Sequence, residues 1–229
     1  MWHDRMVTDP ARDEMLRAAT VGDLRPHDAS IALAEYDPGW PALYEQDAAR
    51  IHGALGDRVR LLEHVGSTSV PGLAAKPRID ILLIVPDSAD EPAYVPAMGA
   101  AGYVLRIREP DWYEHRVFKG PDTDVNVHVF SPGCPEIARM LIFRDWLRTH
   151  EADRARYEAT KRDLAGRTWR YVQDYADAKT AVVESILEAA GAPGPWRPPE
   201  GQEVGLAHDP PGVAPAAGHG TAQRNHTAA

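Results

Sequence analysis

The stretch Glu63–Val85, EHVGSTSVPGLAAKPRIDILLIV, decides the fold. It predicts two strands, Val59–Val65 and Ile79–Val85, joined by a loop that begins at Gly66. The second strand is apolar on both faces apart from Asp80, which is typical of a strand inside a sheet. The stretch therefore predicts an α/β protein with a polar group placed in its central strand.

The flanking segments predict a mixed sheet surrounded by helices. A first amphipathic helix follows the turn-rich residues 37–41, because apolar residues recur there at helical spacing. The pattern then predicts a helix at Glu91–Ala101 and strands at Tyr103–Ile107, Trp112–Lys119 and Asp124–Phe130. The last two of these strands flank a Gly-Pro-Asp-Thr turn, which predicts a hairpin. Strong helix formers then predict helices at Glu136–Arg148, Ala152–Leu164 and Thr168–Ala189. The fold class is α/β (α+β), with a mixed β-sheet, flanking helices and a C-terminal helical subdomain.

Composition limits both the domain organisation and the partners. The 229 residues, 44% hydrophobic and 26% charged, suit one globular domain with extensions. We expect an N-terminal extension over residues 1–28, a folded domain over 29–191, and a disordered tail rich in proline and glycine over 192–229. The absence of an apolar run of about 18 residues or of a secretion signal predicts a cytoplasmic protein without a membrane partner. The net charge of −9 argues against non-specific binding of nucleic acid.

The loop after the first strand has the composition of a phosphate-binding loop. Gly66 allows a tight turn, and Ser67, Thr68 and Ser69 offer hydroxyl groups and amides to phosphate oxygens. Lys76 follows in the chain and is a candidate catalytic cation. The Gly-Lys-Ser/Thr sequence of a P-loop is missing, so the loop is not of that class.

Asp80 requires a reason for its place in an apolar strand. Burying a carboxylate costs several kcal/mol unless a cation or hydrogen bonds compensate. A metal ion is one such cation, and a solvent-facing or capping aspartate is the alternative. We therefore predict Asp80 as both a catalytic and a metal-binding residue.

Several blocks of the chain together resemble the GrpB family. They are Tyr36-Asp37-Pro38 with Trp40, the stretch Glu63–Pro77 with Ile79-Asp80-Ile81, Asn126-Val127-His128-Val129, and Phe143–Arg148. The GrpB family is similar to the nucleotidyltransferase superfamily, in which Gly-Ser after one strand holds a triphosphate and acidic residues on later strands bind Mg²⁺. The resemblance implies transfer from a nucleoside triphosphate, with ATP as the substrate, Mg²⁺ or Mn²⁺ as the metal and a small molecule as the acceptor.

The sequence departs from that superfamily at the acidic pair. Its members carry Asp-x-Asp or Asp-x-Glu, whereas Leu82 stands two positions after Asp80. Glu63, His64 and His128 are the available substitutes. Of these we predict Glu63 and His128 as further metal ligands, and His128 is also a candidate catalytic residue. A histidine ligand would favour Mn²⁺ or Zn²⁺ over Mg²⁺. A hydrogen-bonded histidine without a metal is the alternative.

Cations elsewhere in the chain are candidates for binding the phosphates. Neutralising charge on phosphoryl oxygens requires basic side chains, and we predict four of them in the nucleotide site: Arg116, Arg144, Arg148 and Lys161. Solvated helix faces also carry such residues routinely.

Two functions follow: metal-dependent nucleotidyl or phosphoryl transfer from ATP, or a non-catalytic nucleotide-binding or CoA-metabolism accessory module.

Overall fold

A computed structural model describes residues 9–195. Its helices and strands, in chain order, are α1 Pro10–Ala19, α2 Trp40–Leu55, β1 Leu61–Val65, β2 Ile79–Ile84, α3 Glu91–Ala100, β3 Val104–Glu109, β4 His115–Lys119, β5 Val125–Phe130, α4 Pro135–Thr149, α5 Glu151–Ala165, α6 Val172–Asp177 and α7 Thr180–Ala189. None of the helices in this part of the chain combines the length and the apolar character needed to cross a bilayer.

The five strands form one mixed sheet in the order β1-β2-β5-β4-β3. β2 and β5 run parallel, and the other neighbouring pairs are antiparallel. This confirms the mixed sheet with flanking helices. The predicted hairpin is present as the antiparallel pair β4 and β5.

The two faces of the sheet have different cover. Alternate residues such as Ile81, Val127 and Phe118 pack against α2 and α3 in the main core. Leu82 and Phe130 lie on the other face and pack against α4. Because β2 has neighbours on both sides and cover on both faces, its nearly continuous apolar sequence matches its position.

The predicted strand Trp112–Lys119 begins later than expected. Tyr113 and Glu114 have φ values of 55° and 52°, so the chain turns there before β4 starts at His115. Left-handed backbone cannot continue a strand ladder, which explains why β4 is the shorter segment.

The single helix predicted over Thr168–Ala189 is wrong, because the chain forms two helices separated by a turn. Before them, the amide of Trp169 donates to the carbonyl of Ala29 at 3.0 Å, which holds this segment in extended pairing. Tyr171 and Asp174 then cap the start of α6 reciprocally. Pairing with a distant segment therefore delays the start of the helix to Val172, and a turn at Ala178 and Lys179 divides α6 from α7.

The predicted helical subdomain consists of α4, α5 and α7. Leu147, Tyr157 and Ile186 form its core, and Val70 and Leu73 from the loop between β1 and β2 join them. The loop that carries the candidate site is therefore packed between the sheet and the helices.

The described chain is folded beyond both predicted domain boundaries. In the segment assigned to the N-terminal extension, Arg12 of α1 forms ion pairs with Asp174 and Asp177 of α6. At the other end, the Arg139 guanidinium donates to the carbonyl of Pro193 at 2.6 Å. The remainder of the predicted tail, residues 196–229, and residues 1–8 lie outside the described part.

Candidate functional site

The polar end of the central strands forms the candidate site. In the sheet register Asp80 of β2 lies beside Val65 of β1 and Asn126 of β5, and Asn126 lies beside Lys119 of β4. These residues share the face that α4 covers further along. The side chains of Asp80, Asn126 and Lys119 thus form a polar row across three strands.

Gly66 lies directly against the carboxylate of Asp80. It has φ 69°, and a Cβ atom built there would stand 2.6 Å from Asp80 Oδ2. Both the left-handed backbone and this close approach require glycine. The loop predicted to bind phosphate therefore starts in contact with the carboxylate predicted to bind metal.

The three hydroxyl groups after Gly66 have different roles. Thr68 Oγ1 donates to the carbonyl of Arg78 at 3.1 Å and accepts from His64 Nε2 at 3.1 Å. Ser69 Oγ donates to the carbonyl of Gly66 at 2.6 Å. Both of these side chains are buried and stabilise the turn. Ser67 is half-buried, and its hydroxyl makes none of the hydrogen bonds found within residues 9–195, so it is the hydroxyl left for a ligand.

His64 lies behind the loop and is held neutral. Burial lowers its pKa to about 4, and the cations of Arg148 and Arg144 add to this against the charge of Asp80. Its ring stacks on Tyr44 of α2 with the centroids 5.0 Å apart. His64 is thus a structural donor to Thr68 and supports the loop.

Asp80 has two polar partners on β5. Asn126 Nδ2 donates to Asp80 Oδ1 at 2.8 Å, and His128 Nε2 lies 3.7 Å from the same oxygen. Burial alone raises the pKa of Asp80, but His128 and Asn126 hold that pKa below its ordinary value. Asp80 is thus ionised at neutral pH.

A chain of polar contacts continues from His128 into the sheet. Its Nδ1 lies 3.2 Å from His115 Nε2, and His115 Nδ1 lies 2.7 Å from a carboxylate oxygen of Glu109. The two imidazole rings stack at 5.3 Å. Because a carboxylate accepts, His115 carries its proton on Nδ1, which fixes the orientation of the ring beside His128.

Lys76 is a half-buried cation beside this row. Burial, with the nearby charges of Arg78 and Lys179, lowers its pKa to about 8, while Asp80 and Asp124 act in the opposite direction. Its ammonium makes no hydrogen bond or ion pair within the described residues. A cation in this situation is suited to an anionic ligand.

Arg144 and Arg148 brace the loop from α4. Arg148 donates from two nitrogens to the carbonyl of Ser69, at 3.1 and 2.9 Å. Arg144 donates to Glu63 at 2.8 Å and to the carbonyl of His64 at 3.0 Å. The structure therefore brings both arginines to the predicted site, where they hold the backbone of the loop.

Arg116 does not lie in this cleft. Its side chain is on the other face of the sheet, where it is buried and donates to Glu91 of α3 at 2.6 Å. Successive residues of a strand point to opposite faces, so His115, Val117 and Lys119 occupy the site face of β4 instead. The prediction of Arg116 as a nucleotide ligand is not supported by its position.

Lys161 is buried below the loop rather than exposed in the cleft. Its ammonium donates to the carbonyl of Ala74 and lies 4.8 Å from the centre of the Tyr157 ring. Burial, followed by the charge of Lys179, lowers its pKa to about 7. It therefore influences the site through its charge and through the position of the loop.

The predicted metal ligands do not form a metal centre by themselves. No group of three or more histidine, cysteine, aspartate or glutamate side chains within residues 9–195 has the arrangement needed to hold an ion. Glu63 is paired with Arg144 instead. Asp80 alone still suits a Mg²⁺ ion that arrives with a nucleotide, because Mg²⁺ commonly binds one or two carboxylates together with substrate phosphates and water.

Four residues of the site were missed from the sequence: Arg78, Glu109, His115 and Lys119. The alternation of β4 places His115 and Lys119 on one face, so the hairpin register would have identified them.

A separate open depression of about 590 Å³ lies near Gly56 and Pro86, at the opposite end of β1 and β2. It contains none of the predicted site residues.

Comparison with known proteins gives a consistent family match. The sequence model described as "GrpB protein" matches residues 30–189. A UPF0157 protein of Halalkalibacterium halodurans is 60% identical over 189 residues, which cover 82% of this chain and 97% of that protein. A UPF0157 protein of Streptomyces coelicolor is 46% identical, with 73% of this chain and 88% of that protein covered.

Two further matches concern structure and a named enzyme. The crystal structure of conserved protein GrpB from Enterococcus faecalis matches with a TM-score of 0.58 and 29% identity, covering 69% of this chain and 96% of that chain. A protein named dephospho-CoA kinase from Mycolicibacterium paratuberculosis is 30% identical over 66% of this chain but only 44% of its own length.

Proposed function

The chain belongs to the GrpB family, and from this premise we propose that it transfers a nucleotidyl or phosphoryl group from a nucleoside triphosphate, ATP, to a small-molecule acceptor. The observation that carries the proposal is the contact between Gly66 and the carboxylate of Asp80. A loop with a free hydroxyl and an ionised carboxylate meet there, and phosphoryl chemistry needs both a phosphate grip and charge neutralisation.

In this proposal each residue of the cleft has a separate task. Ser67 and the first amides of its turn bind phosphate oxygens, since the leading amides of a helical turn have no partner within it. Lys76 neutralises negative charge on the phosphates. Arg144 and Arg148 keep the loop in place through the contacts already described.

Asp80 and His128 act at the reacting end. A Mg²⁺ or Mn²⁺ ion carried by the nucleotide would be held by Asp80 and would supply charge neutralisation at the phosphoryl group. His128 Nε2 lies beside Asp80 Oδ1, and His115 contacts its other nitrogen. His128 is therefore placed to take a proton from the acceptor's nucleophilic group.

The experiment combines calorimetric titration of ATP, with and without Mg²⁺, and a turnover assay over a panel of acceptors. Asp80→Asn keeps the shape and removes the charge, so we expect turnover to fall by about 10²–10³ while the protein stays folded. Asp122→Asn is the control, because Asp122 is an exposed carboxylate on the hairpin turn that pairs with Arg50. Full metal-dependent activity in Asp80→Asn would overturn the proposal.

A second arm of the experiment examines the loop. Ser67→Ala should weaken ATP binding about 5–10-fold with unchanged stability, because its hydroxyl has no structural partner among the described residues. Ser69→Ala should instead lower stability, since it removes the buried hydrogen bond to the Gly66 carbonyl. Equal ATP affinity in wild type and Ser67→Ala would remove this hydroxyl from the site.

An accessory module without catalysis is the second candidate. Relatives named dephospho-CoA kinase match this chain over less than half of their length, and Leu82 replaces the second acidic residue of the superfamily pattern. Saturable binding of ATP or dephospho-CoA, with no product from any acceptor in the panel, would favour this module over the transferase.

A further inference from the structure

Lysine is scarce in this chain, and its few lysines lie in one region. Only four of the 25 basic residues are lysines, at positions 76, 119, 161 and 179, although arginine is used throughout the surface. A random placement of lysine among basic positions would scatter it over the molecule. Lys76, Lys119 and Lys179 instead lie around the polar end of the sheet, and Lys161 is buried beneath the loop there.

Two of the lysines come from the sheet side. Lys119 continues the polar row of Asp80 and Asn126 across the strands. Its ammonium lies 3.4 Å from Asp124, a carboxylate that already accepts from Arg78 at 2.7 Å. Lys76 precedes β2 and, as described above, lies near Asp80.

The other two lysines come from the helical side. The Lys161 ammonium donates to the carbonyl of Ala74, two residues before Lys76. Lys179 lies at the start of α7, with its ammonium 4.5 Å from the centre of the Tyr175 ring. It is close enough to Lys76 and Lys161 for its charge to lower the pKa of both.

The charge in this region is unbalanced in a chain that is acidic overall. Within residues 9–195, Lys76, Lys161 and Lys179 form no ion pair with a carboxylate, and Lys119 shares one with Arg78. Half-buried cations that repel one another cost free energy unless an anion lies among them. The protein has a net charge of −9 and carboxylates in excess, yet Asp80 and Asp124 near Lys76 and Glu158 near Lys161 still leave the pKa of both lysines lowered.

We propose that Lys76, Lys119 and Lys179 form a polyphosphate-binding cradle across the cleft, with Lys161 beneath it holding the loop through Ala74. The ligand is a chain of phosphate groups that spans from the sheet to α7, and it rests on the proposed function in being the triphosphate of the nucleotide. Ammonium groups on flexible stems can follow such a chain from several sides, whereas a planar guanidinium favours one bidentate partner.

The test measures binding of inorganic tripolyphosphate and of ATP by calorimetry, with Mg²⁺ present. We expect Lys76→Met and Lys179→Met each to weaken tripolyphosphate binding about tenfold, since each removes a charged donor and keeps an apolar stem. Arg156→Met is the matched control, because Arg156 is an exposed cation of α5 that pairs with Asp153 one turn away. Equal affinity in the lysine variants and the control would overturn the cradle.

Amine-reactive footprinting gives an independent readout on the wild-type protein. With four lysines and one N-terminus in the chain, mass spectrometry resolves each acetylation site. Tripolyphosphate should protect Lys76, Lys119 and Lys179 and leave the N-terminus reactive. Modification at an unchanged rate in saturating tripolyphosphate would contradict the proposal.

The outcomes separate this inference from the proposed function. Lysine-dependent binding of tripolyphosphate without any preference for ATP would support the cradle and contradict a nucleotide substrate. ATP binding and turnover that are unchanged in Lys179→Met but lost in Asp80→Asn would support the transferase and overturn the cradle.

Discussion

At the scale of single residues, both the fold and the candidate site depend on Gly66 having no Cβ atom. Alanine there meets Asp80 Oδ2 at 2.6 Å and also has to adopt φ 69°. We expect Gly66→Ala to destabilise the protein by about 2–4 kcal/mol and to abolish ATP binding, because the loop and the carboxylate must separate. Urea denaturation and calorimetry measure the two effects.

Gly72 provides the control for backbone strain. It has φ 77°, but a Cβ there would meet nothing within 4 Å. Gly72→Ala should therefore cost only about 1 kcal/mol and leave ligand affinity intact. If both variants lose the same stability and both still bind, then the contact between Gly66 and Asp80 has no role in the site.

Lys161 gives a prediction about pH. Its pKa is about 7 in the fold and 10.5 in an unfolded chain. Between these values the unfolded state binds more protons, so the free energy of unfolding should rise as the pH increases from about 7 to 10.5. Lys161→Met has no proton to bind and should flatten this rise.

The measurement is the free energy of unfolding from urea at pH 6.5, 8 and 9.5. Arg162→Met serves as the control, since it removes a neighbouring cation that does not titrate in this range. Curves for wild type and Lys161→Met that run parallel across the three pH values would show that Lys161 keeps an ordinary pKa in the fold.

At the scale of elements, the hydrophobic pattern was sufficient for most of the sheet and insufficient for one side of the site. The period-two pattern and the turn at residues 120–123 predicted the hairpin of β4 and β5. Asn126 and His128 were correctly placed on one face, but Arg116 was assigned to their cleft. Assigning Arg116 to the correct face requires knowing that Lys119 lies opposite Asn126. This register depends on how the turn between β4 and β5 closes.

The late start of α6 at Val172 is not predictable from local sequence. No proline or glycine occurs between Thr168 and Ala189, and the residues favour a helix. The chain is extended before Val172 because Trp169 pairs with Ala29, a contact between segments far apart in the sequence. Tertiary contacts of this kind override propensity.

Arg139 joins three elements of the helical subdomain. It is buried on α4, and its guanidinium donates to Glu136 in the same helix, to Glu184 of α7 and to the carbonyl of Pro193. Arg139→Leu leaves these acceptors without their cation, so we expect a loss of about 3 kcal/mol in the free energy of unfolding.

An exposed arginine shows whether the cost at Arg139 comes from burial. Arg156→Leu removes an ion pair with Asp153 on a solvent-facing part of α5 and should cost less than about 0.5 kcal/mol. Chemical denaturation of both variants makes the comparison. A loss at Arg139 as small as the loss at Arg156 would mean that the network does not hold α7 to α4.

At the scale of the whole molecule, the net charge and the site have opposite signs. A chain with a net charge of −9 repels a polyphosphate at long range, so the affinity of the proposed cradle has to come from its lysines. The lysines lie near Asp80, and the carboxylates that make the net charge negative lie mostly in other parts of the chain.

The folded domain extends past the end that composition predicts, and a truncation tests how much these last residues stabilise it. Composition placed the boundary at residue 191, but the amide of Ala192 donates to Leu187 and the carbonyl of Pro193 accepts from Arg139. A chain ending at Gly191 leaves a buried guanidinium N–H without its acceptor, at a cost of about 1–3 kcal/mol. We expect its Tm to fall by about 2–8 °C.

A chain ending at Pro195 keeps both contacts and should melt within about 2 °C of the full-length protein, because residues 196–229 are rich in proline and glycine and poor in apolar periodicity. Differential scanning calorimetry of the full chain and the two truncations decides between the boundaries. Arg139→Leu in each length adds a thermodynamic cycle, since the loss caused by ending at Gly191 should shrink when the guanidinium is already absent. If the chain ending at Pro195 melts as low as the one ending at Gly191, the stabilising contacts come from beyond Pro195 and the folded domain does not end there.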